Sequence, residues 1–271
     1  MKNLLKADLF RVLRTKIVYI SMIVAIGLPL FISAVLKLTD AAASSMDPTA
    51  ASVSSGMGDT LIANTFSPIF SFSYIFAIFP VIVVMMDFGN GTIRNKVIHG
   101  YTRHQIFAAH FIISLVYAFI LTSLTAATYT ICSVAFFGVT KVASEMIPIY
   151  IMYYALGLLS ALFTASVGCG LALSFLNAGA IILTVIATLF FSYLGTILSI
   201  VFNLAKVSNP EYILCFFPTY FTSMLSSINL AYQTTEFIEP GYIVEAIAGI
   251  LILSGGFYAL GTFVFNKRDF K

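Results

Sequence analysis

Residues 148–202 read PIYIMYYALGLLSALFTASVGCGLALSFLNAGAIILTVIATLFFSYLGTILSIVF, a run of 55 residues without a single charge. A single helix of that length would be about 80 Å long, whereas the hydrocarbon core of a bilayer is about 30 Å thick. The run must therefore fold back, and its strongest turn signal is Leu176-Asn177-Ala178-Gly179. The sequence here predicts two membrane-spanning helices, at about residues 148–175 and 179–202.

Four further segments have the length and apolar composition of a membrane span, at about residues 17–38, 67–86, 105–137 and 242–265. The third of these is too long for an upright crossing, so that helix must tilt or protrude. The whole chain is 60% hydrophobic and 9% charged, whereas soluble domains carry about 25% charged residues. We therefore predict an all-α, polytopic membrane protein whose residues 17–271 form six transmembrane helices.

The first 16 residues read MKNLLKADLFRVLRTK and precede the first apolar run. On a helix, the apolar side chains Leu5, Leu9, Val12 and Leu13 share one face, and Asp8, Arg11 and Arg14 share the opposite one. Residues 1–16 are thus predicted to form an interfacial amphipathic helix, the elbow helix. A cleaved signal peptide is disfavoured because the apolar run from Ile17 to Leu36 exceeds the roughly 7–15 residues of a signal's apolar core.

The distribution of basic residues predicts the orientation of the chain. With both termini in the cytoplasm, eleven Lys and Arg residues lie inside and three, Lys37, Lys141 and Lys206, lie outside. This bias obeys the positive-inside rule and places the protein in the cytoplasmic membrane, with lipid as its solvent. The net charge is only +3 and no basic stripe with interleaved aromatics occurs, so nucleic acid is not an expected partner.

The spans lack the residues on which membrane chemistry usually depends. They carry no Asp, Lys or Arg away from their ends, and the sequence has neither an HExxH nor a GxSxG motif. We therefore predict no catalytic residue and no metal site. The three dispersed cysteines are expected to be small buried apolar residues: Cys132, Cys169 and Cys215. The three histidines near the inner end of span three are expected to be polar residues at the membrane interface: His99, His104 and His110.

Between spans two and three the chain reads DFGNGTIRNKVIHGYTRHQI, residues 87–106. Gly89 and Gly91 suit a sharp exit from the membrane, and Thr92 is expected to cap a short helix over Arg94–His99. Gly100 is expected to end that helix, and Thr102 to cap the next span. The segment therefore predicts a small basic helix lying across the membrane face. Charge alone favours the alternative, an ordinary anchoring loop that obeys the positive-inside rule.

This segment resembles the loop between spans two and three of type-two ABC exporter permeases. The similarity extends over the chain, with an elbow helix, six spans, a short inner turn between spans four and five, a re-entrant outer segment at 203–240 and a basic tail. Two positions depart from the family pattern, Asp87 where Glu is usual and His110 where a basic residue often stands. The resemblance implies that the short helix couples the permease to an ATPase through Asp87, Gly91, Thr92, Arg94, Lys96, Gly100 and Arg103.

The resemblance also implies the partners. The chain has no GxxxxGK[ST] phosphate loop, so ATP and Mg are expected on a separate nucleotide-binding subunit and no cofactor is expected in this chain. A second six-span permease subunit, identical or different, is implied as well. The predicted function is thus the membrane-spanning permease subunit of an ABC exporter. The alternatives are a stand-alone secondary transporter or channel, favoured by a buried charged site, and a membrane enzyme, favoured by a catalytic cluster.

Two groups of side chains have two interpretations each. Hydroxyl residues recur at helical spacing in span three, and the small residues Ala161, Ala165 and Gly168 do so in span four. Each set is expected either to line a substrate pathway or to allow close packing of helices. Aromatic residues of the outer segment form an outer gate or an interfacial belt. The candidates are Ser114, Thr122 and Thr125 for the pathway, and Phe216, Phe217, Tyr220 and Phe221 for the gate.

Overall fold

The computed structural model describes residues 2–46, 66–137, 147–175, 179–206, 213–214, 217 and 240–267. In these ranges the chain is helical and contains no strand, as predicted. The helices, numbered here in chain order, are α1 Lys2–Leu13, α2 Lys16–Met46, α3 Phe66–Gly89, α4 Thr92–Ile98, α5 Arg103–Phe137, α6 Ile147–Phe175, α7 Gly179–Leu204 and α8 Pro240–Lys267.

Five of the described helices, α2, α5, α6, α7 and α8, are long and apolar enough to cross a membrane. The prediction of a multi-pass helical membrane protein is therefore confirmed. The predicted second span, 67–86, lies within α3, of which Ile78–Gly89 forms a shorter apolar stretch.

The fold is built around α6, which packs against α3, α5, α7 and α8, while α2 packs on the outside of α5. In the apolar, membrane-length part of α6, 78% of the residues are buried inside the protein, compared with 17% in α8 and 19% in α7. The outer faces of α2, α7 and α8 expose large apolar side chains, among them Ile23, Phe190 and Leu251. Such faces are stable in contact with lipid rather than water.

Helices α6 and α8 approach each other closely at two glycines. A Cβ atom added at Gly261 would lie 3.1 Å from the Cα atom of Gly170 and 2.7 Å from Cζ of Phe107. Phe107 is fully buried in a cluster that includes Ile93, Cys169 and Phe265. The absence of side chains at Gly170 and Gly261 is therefore what allows these two backbones to meet.

One boundary differs from the sequence expectation. Helix α2 continues to Met46, whereas the first span was expected to end at about residue 38. Three alanines, Ala41 to Ala43, have the highest intrinsic helix propensity and extend the helix beyond the apolar run. At the other end, a turn at Arg14 and Thr15 separates α1 from α2, close to the predicted junction at residue 16.

Candidate functional site

Helix α4 begins at a glycine with positive φ. Gly91 is its N-cap residue, with φ 67° and no side-chain hydrogen bond at the cap. The expectation that Thr92 would cap this helix was therefore wrong. The reason is the tight turn after α3, in which Asn90 N donates to Met86 O and Gly91 N to Phe88 O. This turn needs a left-handed residue directly before the helix, and glycine adopts that conformation without strain.

The other end of α4 confirms the predicted terminator. Gly100 has φ 84°, its N–H donates to Val97 O over 3.0 Å, and Tyr101 N–H donates to Lys96 O over 3.2 Å. This pair of bonds is the Schellman motif. Thr102 then caps α5 as predicted: Gln105 N donates to its hydroxyl, and its own N–H donates to Gln105 Oε1. Two caps therefore fix both ends of the connection to α5.

The seven residues of α4 present two different faces. Ile93 is 1% exposed and joins the core cluster of α3, α5, α6 and α8, and Val97 packs against the same cluster. Lys96 also points inward. Arg94, Asn95, Ile98 and His99 are exposed, and Ile98 shows 72% of its surface. The helix is thus held by its inner face and offers a mixed apolar and basic surface outward.

Below this inner face lies a closed ring of five charged or polar side chains from four helices. Lys96 Nζ donates to Asp8 Oδ2 over 2.7 Å and lies 3.1 Å from His110 Nε2. His110 Nδ1 is 3.6 Å from Asp87 Oδ2. Arg11 bonds to Asp87 and, over 3.3 Å, to Asp8, which closes the ring. We call this group the α1–α4 ring; it joins α1, α3, α4 and α5.

The hydrogen-bond roles in the α1–α4 ring follow from its chemistry. An ammonium group only donates, so His110 Nε2 accepts from Lys96 and the imidazole proton is on Nδ1, facing Asp87. Burial lowers the pKa of Lys96, and the adjacent Asp8 carboxylate opposes that shift by favouring the ammonium form. The two carboxylates balance the two cations, Arg11 and Lys96, when His110 is neutral.

The residues predicted to couple the chain to a partner occupy unlike environments. Arg94 lies on the exposed face of α4, whereas Asp87 and Lys96 are 6% and 8% exposed and belong to the α1–α4 ring. Gly91, Gly100 and Thr92 shape the ends of α4. Arg103 donates to the backbone oxygen of Asn266 over 2.6 Å and so holds the last turn of α8.

Sequence reasoning did not identify Asp8, Arg11 or His110 as site residues. It placed Asp8 and Arg11 on the solvent face of α1, yet Asp8 is 3% exposed and Arg11 is only partly exposed. It placed His110 at the membrane interface, yet His110 is 3% exposed. The only sign of this site in the local sequence was the spacing of Asp8 and Arg11, which can pair at i,i+3 on a helix. Their other partners, Asp87 and Lys96, lie about 80 positions further along the chain.

The candidate pathway residues are buried within the helix bundle. Ser114 and Thr125 donate to the backbone oxygens of His110 and Leu121 in their own helix, which favours packing over a polar lining. The buried hydroxyl of Thr122 has no hydrogen-bond partner among the described residues. Of the four candidate gate residues, Phe217 is described, and Phe216, Tyr220 and Phe221 lie outside the described residues.

No group of three potential metal ligands occurs in the described part of the chain. The buried ion pairs of the described residues lie at one end of the bundle, where α1 and α4 meet α3 and α5. In its described part the chain is a bundle of apolar, membrane-length helices with one small, exposed helix between two of them, which is the architecture of a polytopic membrane protein. Residues 4–195 match the sequence profile of the ABC-2 family transporter proteins, and the chain belongs to this family. Comparison with curated proteins and with solved structures gave no match.

The matched range includes α1 from its third residue onward, all of α4 and every residue of the α1–α4 ring. Permeases of this family are transport proteins that generally work with an ATPase subunit. The candidate site therefore lies in the part of the chain that carries the family assignment.

Proposed function

We propose that the chain is the permease subunit of an ATP-driven exporter and that a separate ATPase subunit docks on the exposed face of α4. In this proposal ATP and Mg are bound by the partner, and closure of the partner displaces α4 and reorients the spans. The chain itself crosses the cytoplasmic membrane six times, with α3 as the second crossing and both termini in the cytoplasm.

One observation supports this docking surface above all. The four outward residues of α4, Arg94, Asn95, Ile98 and His99, are exposed while the inner residues are anchored in the core. A loop that served only to anchor the chain at headgroups would need basic charge, but it would not need a capped helix that presents an isoleucine outward. A partially apolar surface with one guanidinium fits a protein groove that contains an apolar pocket and a carboxylate.

The remaining partners follow from the same proposal. A second permease subunit, identical or different, completes the pathway, and the outward apolar faces of the helices contact lipid or that subunit. On α1, Phe10 and Leu13 are 58% and 44% exposed, which suits an elbow helix lying in the membrane interface.

The docking surface is tested by co-purification of the permease with an ABC ATPase subunit that is expressed together with it. Arg94→Lys keeps the charge but loses the planar fork, so we expect a normal amount of permease with lower ATP hydrolysis by the complex. Arg94→Glu and Ile98→Asp should also weaken co-purification, by about tenfold or more if one charge-assisted contact of roughly 1.5–3 kcal/mol is lost.

Lys6→Glu, at an exposed position on α1, is the matched control for the added negative charge and should co-purify like the parent. The isolated permease should not hydrolyse ATP. Normal binding by Arg94→Glu and Ile98→Asp together would reject α4 as the docking surface, and ATP hydrolysis by the permease alone would reject the division of roles.

A further inference from the structure

We propose that the α1–α4 ring is a positioning joint, through which α1 and α4 move as one body when the partner displaces α4. The proposal rests on the proposed function for the source of the displacement. It assigns to Asp8 and Lys96 a role in coupling that does not involve contact with the ATPase.

The geometry places this joint between elements that are far apart in the chain. Helix α4 is connected covalently to α3 and α5, so its attachment to those helices needs no special device. Its attachment to α1 runs through the 2.7 Å contact between Lys96 Nζ and Asp8 Oδ2. Arg11, one turn along α1, holds Asp87 at the end of α3. Two points of α1 are thus bound to the two sides of the α3–α4 turn.

Burial makes these contacts stiff. Asp8, Asp87, Lys96 and His110 are each at most 8% exposed, so water does not replace a contact that is broken. Each of the five side chains has two neighbours in the ring, and the charges balance within it. If α4 moved without α1, Lys96 would be left as a buried cation without a carboxylate, and Asp8 would keep only its 3.3 Å contact with Arg11. Movement of the two helices together keeps the Lys96–Asp8 pair intact.

A ring that only stabilised the fold would act differently from a ring that transmits motion. Lys96→Met or Asp8→Asn alone leaves a net charge in the ring, so both variants should lose stability. The double variant Asp8→Asn/Lys96→Met leaves the Arg11–Asp87 pair balanced and should recover stability. It nevertheless lacks the ionic link between α1 and α4. The joint therefore predicts a stable permease that is poorly coupled.

The test measures the distance between spin labels at Ala7 on α1 and Asn90 in the turn that leads into α4, both exposed, after the three native cysteines are replaced by alanine. Pulsed EPR is recorded for the permease alone and for its ATPase complex, nucleotide-free and trapped with Mg-ATP and vanadate. We expect one narrow distance distribution in the parent, unchanged by trapping. In Asp8→Asn/Lys96→Met it should be broader or should shift between states, and ATP hydrolysis by the complex should fall several-fold at normal co-purification.

Lys96→Arg, which keeps a cation for Asp8, should resemble the parent, and Lys6→Met on the exposed side of α1 is the control for loss of a basic residue. A parent distance that changes on trapping, or a double variant whose distances match the parent in every state, would overturn the joint. Because the permease alone already reports the rigidity of α1 against α4, failure of the ATPase to bind is recorded separately, by co-purification.

Discussion

Lys96 and Arg94 are two residues apart in the chain, yet one is buried and the other exposed. On a helix they point about 200° apart, so a single charge run divides into an inward and an outward residue. The sequence alone predicted a basic helix but gave both residues the same role. Only the packing of Ile93 into the core fixes which side faces inward.

Arg103, at the start of α5, contacts the C-terminal end of α8. Its guanidinium donates to Asn266 O in the last turn of α8, where the helix dipole favours a cation. We expect Arg103→Gln to lower the free energy of unfolding by about 1 kcal/mol, since the contact is partly solvent-exposed. Arg103→Lys should cost less because it keeps the charge.

Thermal unfolding of the isolated permease in detergent measures this loss. Arg94→Gln removes the same type of side chain from an exposed position on α4 and is expected to leave the unfolding temperature unchanged. Equal losses in both variants would mean that Arg103 contributes only general charge and not a specific contact with α8.

At the scale of elements, the helices themselves were predictable because each apolar run is long and bounded by charge or by turn residues. The predicted spans 148–175 and 179–202 agree with α6 and α7 to within two residues at each end. Gly100 and Thr102 were identified from local cap chemistry and confirmed. Contacts between α1 and α4 were not predictable, since no local pattern specifies a partner 88 positions away.

The contact between α6 and α8 gives a prediction about packing. In Gly261→Ala, the new Cβ would lie 2.7 Å from Cζ of Phe107, which is fully buried and has little room to move. Overpacking of this kind costs about 1–3 kcal/mol. We therefore expect a lower unfolding temperature in detergent, partly restored in Gly261→Ala/Phe107→Leu.

Gly255, on the same helix, provides the control. No heavy atom lies within 4 Å of a Cβ added there, so Gly255→Ala should be neutral or slightly more stable through its higher helix propensity. If Gly255→Ala and Gly261→Ala lost the same stability, the loss would come from glycine itself and not from the close approach of α6 and α8.

At the scale of the whole molecule, the number of crossings depends on α3. Helices α2, α5, α6, α7 and α8 each contain a stretch with the length and apolarity of a span, and the described side chains of α3 form the apolar stretch Ile78–Gly89. Its full length of 24 residues is nevertheless sufficient to cross a bilayer. If α3 crosses, α4 is on the side opposite to the segment that precedes α3.

Accessibility of single cysteines tests this topology in intact cells. In a chain whose three native cysteines are replaced, cysteines at Ser54 and Thr234 should react with an impermeant maleimide, and one at Asn95 should react only after permeabilisation. With six crossings, Asn95 lies on the side opposite to both Ser54 and Thr234, because one span separates Ser54 from Asn95 and three spans separate Asn95 from Thr234. The eleven-to-three distribution of basic residues predicts that Asn95 is inside. If Ser54 and Asn95 reacted alike, α3 would not cross and the chain would have five spans. Labelling of Asn95 alone in intact cells would invert the whole protein and move α4 out of reach of a cytoplasmic ATPase.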